Sequence, residues 1–178
     1  MENLKNGVKF DTEKNRLDLI DAEVLMNFGK VFDYVIDNKF INYNNALHNL
    51  LEWRRGNKVC NITFFSRLSF VFYHLHYLYL NDENIEYTED EIKGVSMINP
   101  HVIQALGNVL TYGSLKYEDD NWKKLDNLEN RYYGACLRHL MTWKCGFKYD
   151  DETNLNHLVH AMCNIHFLLW NDIQKGII

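Results

Sequence analysis

Apolar residues recur at intervals of three and four along most of this chain, which is the spacing that gives a helix one buried face. No segment alternates apolar and polar residues as a half-buried strand does. The pattern therefore predicts an all-α fold, a bundle of about six helices within one domain, 1–178. The predicted helices are 19–35, 43–53, 62–80, 100–113, 131–145 and 153–174.

Several helix ends carry recognisable signals. Gly56 predicts the end of the second helix, and Asn99-Pro100 predicts the start of the fourth, with asparagine as the cap and proline in the first turn. Gly113 predicts a left-handed turn that ends the fourth helix. The loop of about 15 residues expected after it is long for a compact helical domain, so it is a candidate functional segment.

The predicted helix 62–80 is apolar nearly all round. Such a helix is buried either at the centre of a monomer or against another chain. We expect the second arrangement, a homo-oligomer (dimer or tetramer) whose interface uses this helix, because aromatic residues are enriched in interface cores.

Composition narrows the class of protein. The 178 residues are 47% apolar and 24% charged, and the formal net charge is −5. These values exclude a disordered tail and a polycationic nucleic-acid coat, so no stable nucleic-acid complex is expected. Without an N-terminal signal peptide or a membrane-spanning segment, and with four cysteines outside any metal-binding spacing, the expectation is a cytoplasmic protein with reduced thiols.

Two segments of the chain are similar to each other. The stretch 19–34 aligns with 97–112 without gaps, and Gly29 then corresponds to Gly107. Two amphipathic helices with similar faces always align to some degree. The alternative is a partial duplication of one helix that inserted about 78 residues.

Four polar clusters stand where a helical bundle does not need them. The first joins Lys9, Lys14 and Arg16 around Asp11. Arginine binds phosphate through a planar fork and lysine acts as a point charge, so the cluster suits a polyanion. A solvated N-terminal arm explains it equally.

The second cluster lies in the long loop. Lys116 could meet a phosphate, Tyr117 or Trp122 could stack on a base, and Asn121 could read a base or sugar edge. An aromatic loop packed on the bundle is the alternative.

The third and fourth clusters lie on the last two predicted helices. Arg138 and His139 are adjacent, so on a helix they point about 100° apart, and His139 alone suits a core histidine. The fourth cluster begins with the acidic run Asp150-Asp151-Glu152. After it, His157 and His160 share a stripe with Asn164 and Asn171 that is separate from the apolar face of their helix. A metal or phosphate site explains that stripe, and so does a polar seam between subunits.

Taken in order, four segments resemble a known family. KFDTEKNRLDLI, LTYGSLKYEDDNW, RHLMTW and DDETNLNHLVHAMCNIHFLL are similar to the phage-associated dATP/dGTP diphosphohydrolases, relatives of MazG-type nucleotide pyrophosphohydrolases. The similarity covers about 8–20 and 97–170. The most specific parts are YGxxKYxxxNW and RHL followed by two histidines spaced H-x-x-H.

The resemblance implies a MazG-like, oligomeric enzyme that splits a purine dNTP into dNMP and pyrophosphate with Mg²⁺, or Mn²⁺ as the alternative. It implies that Asp151 and Glu152 hold the metal and that His157 orders the attacking water. The substrate-binding residues it implies are Lys9, Asp11, Lys14, Arg16, Lys116, Tyr117, Asn121, Trp122, Arg138, His139 and His160.

The chain departs from the family in three places. Phe147 stands where the family often has glutamate, Asn154 replaces a glycine, and 27–96 has no counterpart, which suggests an inserted helical segment. The lost glutamate leaves a second hypothesis open, a non-catalytic phage protein that sequesters a nucleotide. A helical assembly protein built around 62–80 is a third. If the chain is phage-encoded, its expected location is the host cytoplasm.

Overall fold

The computed structural model describes residues 15–34, 43–86 and 98–178. Within these ranges the chain forms six α-helices, two short 3₁₀-helices and two isolated β-bridges, so the all-α prediction is confirmed. The helices are α1 (Ala22–Tyr34), α2 (Tyr43–Arg54), α3 (Arg67–Asp82), α4 (Pro100–Tyr117), α5 (Leu128–Lys144) and α6 (His157–Gln174).

Side-chain caps fix the starts of three helices. The side chains of Ser66, Asn99 and Asn156 each accept a hydrogen bond from the backbone N–H two residues later, at the N-termini of α3, α4 and α6. Such a cap satisfies one of the donors that a helix start leaves free. The start predicted at Asn99-Pro100 is confirmed. Helix α6 begins at His157, later than predicted.

Left-handed residues end two helices and shape their connections. Gly56 follows α2 with φ +99° and Gly146 follows α5 with φ +97°, values that glycine adopts without strain. Asn154 has φ 56°, as asparagine tolerates. The prediction for Gly113 was wrong, because α4 continues to Tyr117 and the positive φ, 78°, falls on Glu118.

Helices α3 and α6 pack against each other at the centre of the bundle. Helix α3 also packs on α1 and α2, and its buried face includes Phe72, Tyr73 and Tyr77, each at most 1% exposed. The rings of Phe28 and Phe72 stack with centroids 3.8 Å apart. The apolar surplus of α3 is therefore buried inside the chain. The aromatic residues of α3 therefore need no partner chain to cover them, while Ile62 and Phe64 of the predicted segment are exposed. The oligomer and its interface stay predictions.

Helix α4 lies along α6 and supports the candidate site from one side. The 3₁₀-helix Leu17–Leu19 crosses α4 at Gly107, where a Cβ would lie 2.5 Å from Leu17 Cδ2. A larger residue at this position would make the Leu17 side chain shift. Near the crossing, the backbone N–H of Arg16 donates to Thr111 Oγ1 of α4 at 2.8 Å.

In the described part of the chain, none of the helices combines the length and apolar character that a bilayer span requires. The four cysteines, Cys60, Cys136, Cys145 and Cys163, are all free thiols, as predicted.

Candidate functional site

Two histidines and an aspartate converge where α5, α6 and their connection meet. His139 Nδ1 and His157 Nδ1 lie 2.8 Å apart, and a carboxylate oxygen of Asp150 completes a group whose ligand atoms all lie within 4.8 Å of one another. His160 stacks on His139 with ring centroids 4.7 Å apart and planes 9° from parallel. We call His139, Asp150 and His157 the His-Asp cluster.

The turn between α5 and α6 holds Asp150 in place. Asp150 Oδ1 accepts hydrogen bonds from the backbone N–H groups of Glu152 and Thr153 and from the hydroxyl of Thr153. Thr153 Oγ1 lies 2.7 Å from His160 Nε2, and because its one proton goes to Asp150, His160 must donate here. The second oxygen, Oδ2, takes part in none of these bonds and is free for a ligand.

The charges of the cluster suit metal binding. Burial, together with the neighbouring His160 and His157, lowers the pKa of His139 to about 4. Burial also lowers the pKa of His160. Burial alone would raise the pKa of Asp150, but hydrogen bonds from Thr153 outweigh it and hold that pKa below its ordinary value. At neutral pH the cluster therefore offers a neutral imidazole and a carboxylate, the protonation states in which these groups coordinate metals.

The donor set does not favour Mg²⁺. Two imidazole nitrogens with one carboxylate oxygen suit first-row transition ions, whereas Mg²⁺ prefers oxygen ligands and keeps several waters.

Asp151 and Glu152, the metal ligands implied by the resemblance, lie on the exposed side of the same turn. Glu152 accepts hydrogen bonds from Lys116 and from the Tyr112 hydroxyl, and these hold its pKa below the ordinary value. The Lys116–Glu152 ion pair ties the end of α4 to the turn that carries Asp150. Asp151 makes no side-chain hydrogen bond or ion pair with any residue that the structure describes.

A cavity of about 640 Å³ opens between α4, α5, α6 and the loop after α4. Its walls are mostly apolar and aromatic, and two arginines, Arg131 and Arg138, stand at its edge. Neither guanidinium makes a hydrogen bond or an ion pair within the described part of the chain. The acidic residues at the cavity are Glu118 and Asp120, and Asp120 is paired with Lys123 at 3.1 Å. Unpaired cations beside an aromatic wall suit a ligand with an anionic end and a flat apolar end.

The loop after α4 supplies to this cavity both the predicted aromatic residues and the predicted asparagine. Tyr117, 56% exposed, and Asn121 line it with free surface. Trp122 also lines it, but its ring is 9% exposed and stacks on Phe167 at 4.3 Å. Tyr117 is therefore the aromatic residue placed to stack on a base, and Trp122 forms the floor. The packed aromatic loop that the sequence left as an alternative is present at Trp122, and the ligand-facing role of Tyr117 and Asn121 stays a prediction.

Arg16 is engaged elsewhere. Its guanidinium pairs with Asp18 at 2.8 Å and with Asp119 at 2.7 Å, and these hydrogen bonds raise its pKa. It does not line the cavity. Lys9, Asp11 and Lys14 of the same predicted cluster lie outside the described residues.

Sequence reasoning placed Asp150 in the acidic run but did not assign it a role, and it missed Thr153 and Arg131 as site residues. Asp150 follows the Gly146 turn and precedes a threonine by three residues, which is the pattern of a turn closed by an aspartate side chain. That signal could have separated Asp150 from its two acidic neighbours. Arg131 lies two helical turns before Arg138 on α5, which places both on one face.

Comparisons with known proteins agree with the resemblance. The model of the family described as "dATP/dGTP diphosphohydrolase, N-terminal" matches residues 86–178, more than half of the chain. A dATP/dGTP diphosphohydrolase of Salmonella phage PMBT28 is 34% identical over 76 residues, which cover 43% of this chain and 26% of the phage protein. The chain thus matches about a quarter of the length of that relative. No solved structure matches. The chain belongs to the dATP/dGTP diphosphohydrolase N-terminal family.

Proposed function

We propose that this chain binds a purine deoxynucleoside triphosphate and hydrolyses it to dNMP and pyrophosphate. The observation that carries the proposal is the cavity with two unpaired arginines, in the half of the chain that the family model covers. The His-Asp cluster lies on α5, α6 and their connection, outside the lining of the cavity. The purine specificity follows the names of the family and of the phage relative.

The residues divide into a base end and a phosphate end. Tyr117 and Trp122 form the aromatic wall against which a purine would lie, and Asn121 offers a donor and an acceptor to its edge. Arg131 and Arg138 supply fixed positive charge for the phosphates. Lys116 is paired with Glu152 and does not itself line the cavity, although its neighbour Tyr117 does.

The reaction consumes one water. A bond forms between the water oxygen and the α-phosphorus, and the bond from that phosphorus to the oxygen bridging to the β-phosphate breaks. The products are dNMP and pyrophosphate, with a proton released to solvent. Arginines that hold the phosphate oxygens also stabilise the negative charge that develops on them.

We further propose that the divalent cation is Mn²⁺, held by His139, Asp150 and His157, rather than Mg²⁺ held by Asp151 and Glu152. Such a cation, when bound, polarises a phosphoryl oxygen and lowers the pKa of water. The location is supported by the three converging donors and by the hydrogen bonds that aim Asp150. The choice of Mn²⁺ follows the family resemblance, which offers it as the alternative to Mg²⁺. The MazG relationship, the oligomer and a location in the host cytoplasm stay predictions.

A panel of the four dNTPs, each incubated with the chain and Mn²⁺ or Mg²⁺, tests the activity. We expect dATP or dGTP to give monophosphate and pyrophosphate in Mn²⁺, resolved by ion-exchange chromatography. Asp150→Asn, which keeps the size of the side chain, is the matched control and should give no products. If the wild type gives no products with any of the four nucleotides, the proposal that the chain is an enzyme is overturned.

A second function is favoured by one observation. Phe147, 65% exposed, stands in the turn where the family often carries glutamate. Tight binding of dATP or dGTP without products would show that the chain sequesters the nucleotide instead of hydrolysing it.

A further inference from the structure

The pair α2–α3 and the pair α5–α6 have matching sequences at a constant spacing of 90 residues. Over 43–82 and 133–172, 12 of 40 positions are identical. The matches include two polar pairs, His76 with His166, both buried, and the half-buried Asp82 with the buried Asp172. The twelve positions of the first segment are Tyr43, Leu47, Leu50, Trp53, Gly56, Lys58, Thr63, Leu68, His76, Leu78, Asn81 and Asp82.

The local structure repeats at the same spacing. The β-bridge Val59↔Ser66 corresponds to Tyr149↔Asn156, and helices α3 and α6 both begin one residue after these bridges. The left-handed residues also correspond, Gly56 with Gly146 and Phe64 with Asn154. Phenylalanine rarely adopts a positive φ, so its value of 60° at Phe64 reflects the geometry of the turn and not the preference of the residue.

Contacts between the two halves are reciprocal. His76 Nε2 accepts a hydrogen bond of 3.0 Å from the backbone N–H of Asn99 at the start of α4. His166 Nε2 accepts one of 3.0 Å from the N–H of Asp21 at the start of α1. Lys58 likewise approaches Asp172 at 3.9 Å, and Lys148 approaches Asp82 at 3.7 Å. Each half thus makes the same contacts with the other half that the other half makes with it, as in a two-fold arrangement.

We propose that the chain consists of two copies of a three-helix unit, α1–α2–α3 and α4–α5–α6, related by a pseudo-two-fold axis, and that the first copy contains a degenerate cation site closed by Arg67. The proposal replaces the inserted segment 27–96 by a duplication. The duplication leaves one intact cation site per chain, the His-Asp cluster, and that part of the proposal rests on the function proposed above.

The first copy has lost the donors of the His-Asp cluster. Asn49 stands at the position of His139, Cys60 at that of Asp150 and Arg67 at that of His157. Arg67 Nη1 donates to Asn49 Oδ1 at 3.0 Å, where the second copy has the two imidazoles 2.8 Å apart. The guanidinium therefore places a permanent positive charge where the second copy gathers ligands.

The turn around Cys60 keeps the architecture of the turn around Asp150. Burial raises the pKa of Cys60, but hydrogen bonds from Thr63 and the charge of Arg67 outweigh it, so the pKa lies below its ordinary value. Thr63 corresponds to Thr153, which binds Asp150 in the second copy. Position and partner are retained although the acidic ligand has become a thiol.

The cavity loop belongs to the second copy alone. Tyr34 and Tyr43 are nine residues apart, whereas the matching Tyr112 and Tyr133 are 21 apart. The extra 12 residues fall in the loop that carries Asn121 and Trp122 at the cavity. The second copy thus has both the loop and the ligands, and the first copy acts as its built-in structural partner.

Cobalt absorption tests the degenerate site directly. In the variant Asn49→His/Arg67→His, two imidazoles join the native thiol of Cys60, a set that binds Co²⁺ and Zn²⁺. We expect Co²⁺ to give a thiolate-to-cobalt charge-transfer band from one ion per chain, beside the ion that the His-Asp cluster holds without such a band. The wild type should lack this band, since its second-copy cluster has no thiolate. Adding Cys60→Ser should abolish the band, and Asn49→His alone, which keeps Arg67, should not produce it.

A folded double variant without the band, judged by circular dichroism, overturns the degenerate site. A band in the wild type overturns it too, because Arg67 would not be closing the site. If the double variant does not fold, Arg67→His alone keeps Asn49 and is expected to give a weaker band, whose absence also counts against the proposal. If the double variant shows the band but the wild type binds no Co²⁺, the degenerate site is supported and the cation is removed from the proposed function. Failure of the degenerate site and failure of the proposed cation are therefore distinguishable.

Discussion

The indole Nε1 of Trp53 donates a hydrogen bond of 2.6 Å to Oδ2 of Asp172, and neither side chain is exposed. Burial raises the pKa of Asp172, which the Trp53 hydrogen bond and the nearby Lys58 only partly offset. Trp53→Phe keeps the ring but leaves the carboxylate without its donor. We expect it to lower the free energy of unfolding by about 1–3 kcal/mol, measured by urea denaturation.

Trp143, at the equivalent position in α5, provides the matched control. It is half-buried, and its indole N–H makes no hydrogen bond within the described ranges. Trp143→Phe should therefore lower the free energy of unfolding clearly less than Trp53→Phe does. Equal losses would mean that ring volume, and not the bond to Asp172, determines the effect.

Two buried histidines predict a loss of stability in acid. Burial lowers the pKa of His166 to about 4 and that of His76 to about 3, while unfolded histidine titrates near 6.5. Because the folded pKa is the lower one, the unfolded state binds more protons between these values. The contribution of these histidines to the free energy of unfolding is complete above about pH 6.5 and is lost as the pH falls towards 4. For His166 the loss is on the order of 3 kcal/mol.

The variant His166→Leu separates this effect from general acid denaturation. It should be less stable than the wild type at pH 7, because Asp21 loses the acceptor for its N–H, but its stability should decrease less between pH 6.5 and 4. The exposed His48→Gln serves as control. A pH slope in His166→Leu as steep as that of the wild type would exclude His166 as the cause.

Tyr73 and Ile62 distinguish a helix buried in the monomer from one buried in an interface. Tyr73 is 1% exposed inside the chain and Ile62 is 82% exposed before α3. Tyr73→Glu should unfold the protein, because it places a charge in the core. Ile62→Glu should leave both the fold and the mass in solution unchanged. If light scattering shows that Tyr73→Glu stays folded but dissociates from an oligomer, the predicted subunit interface on this helix would be supported.

The sequence predicted the helices well because apolar spacing and capping residues are local properties. Gly56, Asn99 and Pro100 act within one helical turn, and their positions agree with the structure. Gly113 failed because glycine permits a left-handed turn without requiring one, and the helical hydrogen bonding of α4 continues to Tyr117.

The site was predicted less completely because its geometry depends on contacts between elements. Asp150, Asp151 and Glu152 are equivalent in a pattern of charges, and only the hydrogen bonds of Thr153 distinguish the first of them. Arg16 has the residue type for a phosphate clamp, yet the loop after α4 brings Asp119 to it. The sequence suggested only a partial duplication of one helix because the copies align at two different spacings, 78 for α1 and α4 and 90 for the helix pairs.

Asp150 and Asp151 give opposite predictions from structure and from sequence. Asp150→Asn should abolish Mn²⁺ binding, followed by electron paramagnetic resonance of the free ion, because an amide is a poorer ligand than a carboxylate. Asp151→Asn should bind Mn²⁺ within about twofold of the wild type, since its carboxylate faces solvent. Reversed results would assign the metal to Asp151, as the family resemblance implied.

Arg138 and Arg16 test the phosphate end of the cavity. Arg138 lines the cavity and is unpaired within the described part of the chain, whereas Arg16 is already held by Asp18 and Asp119. Arg138→Ala should weaken dGTP binding by roughly 1.5–3 kcal/mol, the range for a lost hydrogen bond to a charged group. Arg16→Ala should have a much smaller effect. Deoxyguanosine, which has no phosphate, should bind both variants like the wild type in isothermal titration calorimetry. If Arg138→Ala weakened nucleoside and nucleotide binding equally, Arg138 would act through the shape of the cavity and not through the phosphates.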